Sequence, residues 1–167
     1  SRHAAHARGC TVMRLRDLLP AGVPQVIGSY EFTADRIIAF AEQFDPHDFH
    51  LDAEKAKGSL FGGLCASGWH VCSAAMKCNV AHLQAEADRI SAEGGIPPQI
   101  GPSPGVRNLK WLRPVFAGDV ITYTMAFNHD TPVPGRPGRY LCDLSYAGTN
   151  QNGEMVMQFD CAVVEFD

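Results

Sequence analysis

A chain of 167 residues with a net charge of -4, 46% hydrophobic and 19% charged residues, is long enough for one domain with a sizeable core and too balanced for a disordered or fibrous protein. The acidic balance leaves no basic footprint for DNA or RNA. No run approaches the roughly 18 apolar residues of a membrane span, and the opening SRHAAHARGCTVMRLRDL lacks the apolar core of a signal peptide, so a soluble, cytoplasmic protein without membrane contact is expected.

Residues 1–12 are small, polar and basic without periodicity, and are read as a flexible extension ahead of a single domain over 13–167. The run QVIGSYEFT, rich in β-branched and aromatic residues, predicts a strand, and Thr33 is a suitable N-cap for a helix over ADRIIAFAEQF. FDPHDFHLDAEKA follows, packing Asp45, His47, Asp48, His50 and Asp52 into eight residues. Pro46 makes this segment a turn, and DAEKAKG then gives a short helix stopped by Gly58. From Leu60 to Ala81 the only charge is Lys77. Such a segment reads as a helix covered over most of its circumference, starting at Gly68 and closely packed through Ala74, Ala75 and Cys78.

GGIPPQIGPSPG, with its many prolines and glycines, is predicted to be a loop or flap. Beyond it, GVRNLKWL, DVITYTMAFN, RYLCDLSYAGT and EMVMQFDCAVVEF alternate as strands do, with Asn-Gly in NQNGE turning the last pair. The order strand, helices, then about four antiparallel strands favours one sheet around one central helix, and the missing βαβ alternation argues against a dinucleotide-binding fold. The six cysteines form no CxxC pair and sit in apolar runs, as buried free thiols do.

Asp45 and His50, aimed at one point by a turn, are suited to share a water as a general acid and base, with partial burial expected to carry both pKa values toward neutrality. The alternatives at this stage are an Asx-turn aspartate among solvated histidines, or a metal site made from Asp45, His47 and His50. Gly68, at the start of the buried helix, would offer an unpaired N–H and the helix dipole to a developing oxyanion, or would simply begin a helix capped by Ser67. His70, His82 and His129 stand singly and read as structural.

On these residues the chain resembles the MaoC-like dehydratases, which include the (R)-specific enoyl-CoA hydratases. The resemblance runs over about residues 24–166. It rests on an Asp, four residues, a His, five residues and a small residue, matched by Asp45, His50 and Ala56; on a helix-starting Gly 23 residues after the Asp, matched by Gly68; and on LRPVFAGDVI. DPHDFH departs from the usual motif by His47 and Asp48, and Met76 stands where the (R)-specific enzymes have a Ser. The resemblance implies an α+β hot dog fold, an antiparallel sheet wrapped around a long central helix. It implies hydration of a trans-2-enoyl thioester, carried on CoA or acyl carrier protein, by Asp45, His50 and the Gly68 N–H. It further implies substrate contacts from Ser67, Trp69 and Met76, no cofactor and no metal, and a homodimer or higher homo-oligomer. A hot dog thioesterase and a non-catalytic acyl-thioester binding module are the alternatives.

Overall fold

The structure is a computed structural model that describes residues 11–167. Short helix α1 (Leu15–Leu18) precedes strand β1 (Gln25–Glu31), helix α2 (Ala34–Phe44), two short helices α3 (Asp48–Leu51) and α4 (Ala53–Lys57), and the long helix α5 (Gly68–Ala92). Strands β2 (Gln99–Ile100), β3 (Gly105–Trp111), β4 (Val120–Pro132), β5 (Arg139–Thr149) and β6 (Met155–Phe166) follow. The sheet is antiparallel, in the order β1, β4, β5, β6, with β2 and β3 both laid along the free side of β6.

Alternation places the core. Cys142, Leu144 and Tyr146 of β5 turn inward between Asp143, Ser145 and Ala147, and Ile121, Tyr123 and Met125 of β4 do the same. These side chains close on α5, whose Val71, Ala74, Ala75 and Cys78 are buried. The small residues let helix and sheet approach closely. Gly28 of β1 adopts φ +147°, and a Cβ there would stand 3.2 Å from Cys78. The Tyr123 hydroxyl donates to the Val71 carbonyl at 2.7 Å, fixing the helix against the sheet. A long helix enclosed by one curled antiparallel sheet is the hot dog fold.

Thr33 caps α2 by accepting from the Arg36 N–H, and Asp52 caps α4 by accepting from Glu54 and Lys55. Gly58 ends α4 with ordinary right-handed geometry, so its role is to stop the helix without the left-handed turn common at glycine C-termini. His70 is structural, as expected. Its ring stacks on Phe40 at 4.7 Å and meets the Tyr30 hydroxyl at 3.3 Å, and burial pushes its pKa down to about 4.

Four sequence expectations need correction. The stretch Gly94–Gly105 is not a free flap, because β2 pairs with β6 and Ile96 bridges to Val12. That bridge also joins Val12 to the fold, which the boundary at residue 12 left outside; residues 1–10 of the predicted extension lie outside the described residues. α5 is not covered all round, since Trp69, Met76 and Val80 face outward. Helix α3 lies inside the segment read as a turn.

Candidate active site

Helix α2 ends at Phe44, and its C-cap Asp45 leaves helical geometry, with φ -154° and ψ 67°, just before Pro46. His47 begins α3, and this single turn carries His50 back over the same point. His50 is buried, and its Nδ1 lies 2.6 Å from the Cys65 carbonyl oxygen. A carbonyl only accepts, so Nδ1 carries the hydrogen and Nε2 points at Asp45, 3.4 Å from Oδ2.

The Cys65 carbonyl is itself held in place. Cys65 N–H donates to Phe49, Ala66 N–H to Val115, and Ala117 N–H to Leu64. The Pro-Val-Phe turn of LRPVFAGDVI, through a single antiparallel bridge from Phe116 to Cys65 and these hydrogen bonds, therefore holds the segment leading into α5.

The other oxygen of Asp45 is also occupied. His47 Nδ1 approaches Oδ1 at 2.6 Å while its ring stacks on Phe49. Ser67, fully buried, hydrogen-bonds the same carboxylate and accepts from the Trp69 N–H as the N-cap of α5. Burial pushes the Asp45 carboxyl up, but the hydrogen bonds from Ser67 and His47 and the nearby imidazoles outweigh it and hold the group below its ordinary value. The expected drift of Asp45 toward neutrality is thus reversed. At neutral pH it is a carboxylate, able to accept hydrogen bonds and unsuited to be the resting proton donor.

Asp45, His50, Gly68, Trp69 and Trp111 line one cavity of about 370 Å³ at the N-terminus of α5. The Gly68 N–H has no partner within the described chain, and the Trp111 indole lies across the glycine, donating from Nε1 to its carbonyl at 2.9 Å. A Cβ on residue 68 would come within 2.5 Å of that indole. Gly68→Ala is therefore expected to displace Trp111 and cost about 1–3 kcal/mol, read as a lower melting temperature with altered tryptophan fluorescence; an unchanged variant would mean that the indole is free to move away.

The structure brings Asp45, His50, Gly68 and Trp69 together. Ser67 does not line the cavity, so it supports Asp45 from behind and its expected substrate contact is corrected. Met76 faces a second cavity of about 590 Å³, which meets the first at Trp69. As a metal site, the cluster is badly arranged: His47 and His50 address opposite oxygens of Asp45, and His50 has spent Nδ1 on a carbonyl. His47, which holds Asp45 Oδ1, and Trp111, which lies across Gly68, are also part of the site. Only the adjacency of His47 to Asp45 in sequence hinted at this.

No protein-family model and no curated protein sequence matches the chain. Among solved structures it is similar to the MaoC-like dehydratase from Rhodospirillum rubrum, with 34% identity and a TM-score of 0.76 over 92% of this chain and 97% of that one. Fold similarity alone extends to an (R)-hydratase from A. caviae involved in PHA biosynthesis, with 20% identity, a TM-score of 0.58 and coverage of 87% and 96%. It also extends to the HadBC 3R-hydroxyacyl-ACP dehydratase complex from Mycobacterium tuberculosis, with 18% identity, a TM-score of 0.65 and coverage of 86% and 96%. With an antiparallel sheet around one helix and a carboxylate and imidazole over that helix's start, the chain belongs to the MaoC-like dehydratases.

Proposed function

We propose that the chain is a hydro-lyase of acyl thioesters, adding water to a trans-2-enoyl group on CoA or acyl carrier protein and, in reverse, dehydrating the 3-hydroxyacyl thioester. The observation that carries this is the pair of acceptors, Asp45 Oδ2 and His50 Nε2, 3.4 Å apart beside the start of α5. Two acceptors so placed hold the two hydrogens of one water. Asp45, kept charged, accepts one and orients the water; His50 Nε2 takes the other as the oxygen bonds to C3, then returns that proton to C2 on the same face. Water supplies both added atoms, and the pair ends in its starting protonation state. The thioester oxygen, which gains charge as C3 is attacked, lies at the Gly68 N–H and the positive end of α5.

Incubation with crotonyl-CoA and a longer trans-2-enoyl-CoA tests this directly. Loss of the enoyl absorbance without release of thiol is expected. Thiol release would make the protein a thioesterase, and neither signal with measurable binding would make it an acyl-thioester binding module.

A second copy completes the assembly in this reading. Among the described residues strand β3 pairs only with β6, which leaves its outer edge open there, and Trp69, Met76 and Val80 of α5 form an exposed apolar face near Val106 and Trp111 of β3. A symmetric homodimer that continues the sheet across β3 covers both features. Light scattering is expected to give twice the chain mass of 18.1 kDa; a stable monomer at micromolar concentration would contradict the pairing.

A further inference from the structure

We infer that the second cavity is an acyl subsite built for a chain carrying a neutral oxygen, a hydroxyl or carbonyl, well beyond the reacting carbons; this rests on the hydro-lyase reading above. The cavity, about 590 Å³, lies between α5 and the inward faces of β3, β5 and β6, and among the described residues no charged side chain lines it. Its walls are mostly apolar, among them Met76, Leu109, Leu144 and Phe159. An unsubstituted alkyl chain needs nothing else.

Asn79 interrupts this lining. It is 6% exposed, and its Oδ1 accepts from the Tyr146 hydroxyl at 3.1 Å. The amide Nδ2 has two hydrogens, and its one contact among the described residues is the Met76 thioether at 3.8 Å, a weak acceptor. The opposite amide orientation would set Oδ1 against that sulfur, so the donor faces the cavity wall. Tyr146 stacks on Phe159 at 4.8 Å, and its hydroxyl oxygen, having given its hydrogen to Asn79, retains acceptor capacity. The pair thus presents a donor and an acceptor side by side, the complement of a hydroxyl, and the donor alone suits a carbonyl oxygen. A carboxylate would find no cation among the described lining residues.

Position sets where that oxygen must be. Asn79 follows Gly68 on nearly the same side of α5, about three turns or roughly 16 Å along the axis. With Gly68 at the thioester, Asn79 meets the distal part of the acyl group. A buried donor left without a strong partner penalises a chain that offers no acceptor, and this is how a pocket discriminates against a deoxy analogue.

The test compares a series of ω-hydroxylated trans-2-enoyl-CoA esters of increasing length with their unsubstituted and ω-carboxylated counterparts. At the matching length wild type is expected to favour the hydroxylated ester by roughly 10- to 100-fold in kcat/KM. Asn79→Leu should abolish or reverse that preference while sparing turnover of a short enoyl-CoA, and Tyr146→Phe serves if the leucine variant does not fold. Calorimetric binding of the saturated acyl-CoA pairs reads the subsite independently of turnover. If no ester is hydrated yet the hydroxylated one binds more tightly, the hydratase reading fails and the subsite stands. Equal affinity and equal turnover of hydroxylated and plain chains at every length, or preference for the carboxylate, overturns it.

Discussion

Asp45→Asn is expected to lower the turnover number for enoyl-thioester hydration by roughly two to four powers of ten, the usual worth of a positioned acid or base. The amide keeps the shape of the carboxylate and still faces Ser67, but presents one acceptor oxygen in place of two and carries no charge. With Oδ1 engaged by His47 and Oδ2 facing His50 Nε2, where the proposed mechanism places the water, one of these contacts must be lost. His50→Gln removes Nε2 from the same water with a comparable loss. The double variant should be barely worse than either single one, because both groups act on one molecule and their effects do not add. The melting temperature should change little in Asp45→Asn, whereas His50→Gln gives up the buried hydrogen bond to the Cys65 carbonyl and is expected to lower it modestly. Full activity in Asp45→Asn would sink the mechanism, and a loss accompanied by unfolding would return the cluster to a structural role. Because Asp45 is held below its ordinary pKa, acid inactivation near pH 5 is not expected to arise from its protonation.

The parts of this site legible in the sequence are those set by local chemistry. Asp45 and His50 are linked by one proline turn and one helical turn, so their convergence follows from short-range geometry. Gly68 and Ser67 mark a helix start by their own preferences. What the sequence hid depends on contacts between distant segments. Trp111 reaches Gly68 only because β3 lies along β6, and Tyr146 reaches Asn79 only because β5 passes over the middle of α5. The direction of the Asp45 shift was also out of reach. It depends on Ser67, in a different segment, adding to His47 and His50 so that together they outweigh burial. The open face of α5 was misread because an apolar face awaiting a partner and one buried in the same chain have the same composition.

Arg14 shows how far this long-range dependence goes. Replacing it with Met is expected to destabilise the fold by about 3–5 kcal/mol, the cost of leaving a buried charge without its counter-ion. Glu165 sits at an inward position of β6, on the same face as Phe159, Cys161 and Val163, and is fully buried. A carboxylate there needs partners, and among the described residues it has Leu15 N–H at 2.6 Å, Arg14 Nε at 3.2 Å and the Cys142 thiol at 3.1 Å. The guanidinium also reaches Asp130 at 2.5 Å and lies 3.3 Å over the Tyr140 ring. It thereby occupies the space among Asp130, Cys142 and Glu165, which otherwise has the donor set of a metal site, and it fastens α1 to the sheet. Thermal denaturation of Arg14→Met should show a fall on the order of 10 °C. Glu165→Gln in the same chain keeps an acceptor for Leu15 while removing the unpaired charge, and should restore most of the loss. A cost below about 1 kcal/mol would class the contact with solvent-screened surface pairs. A double variant no better than Arg14→Met would assign the loss to the stacking on Tyr140 and leave the ion pair without effect.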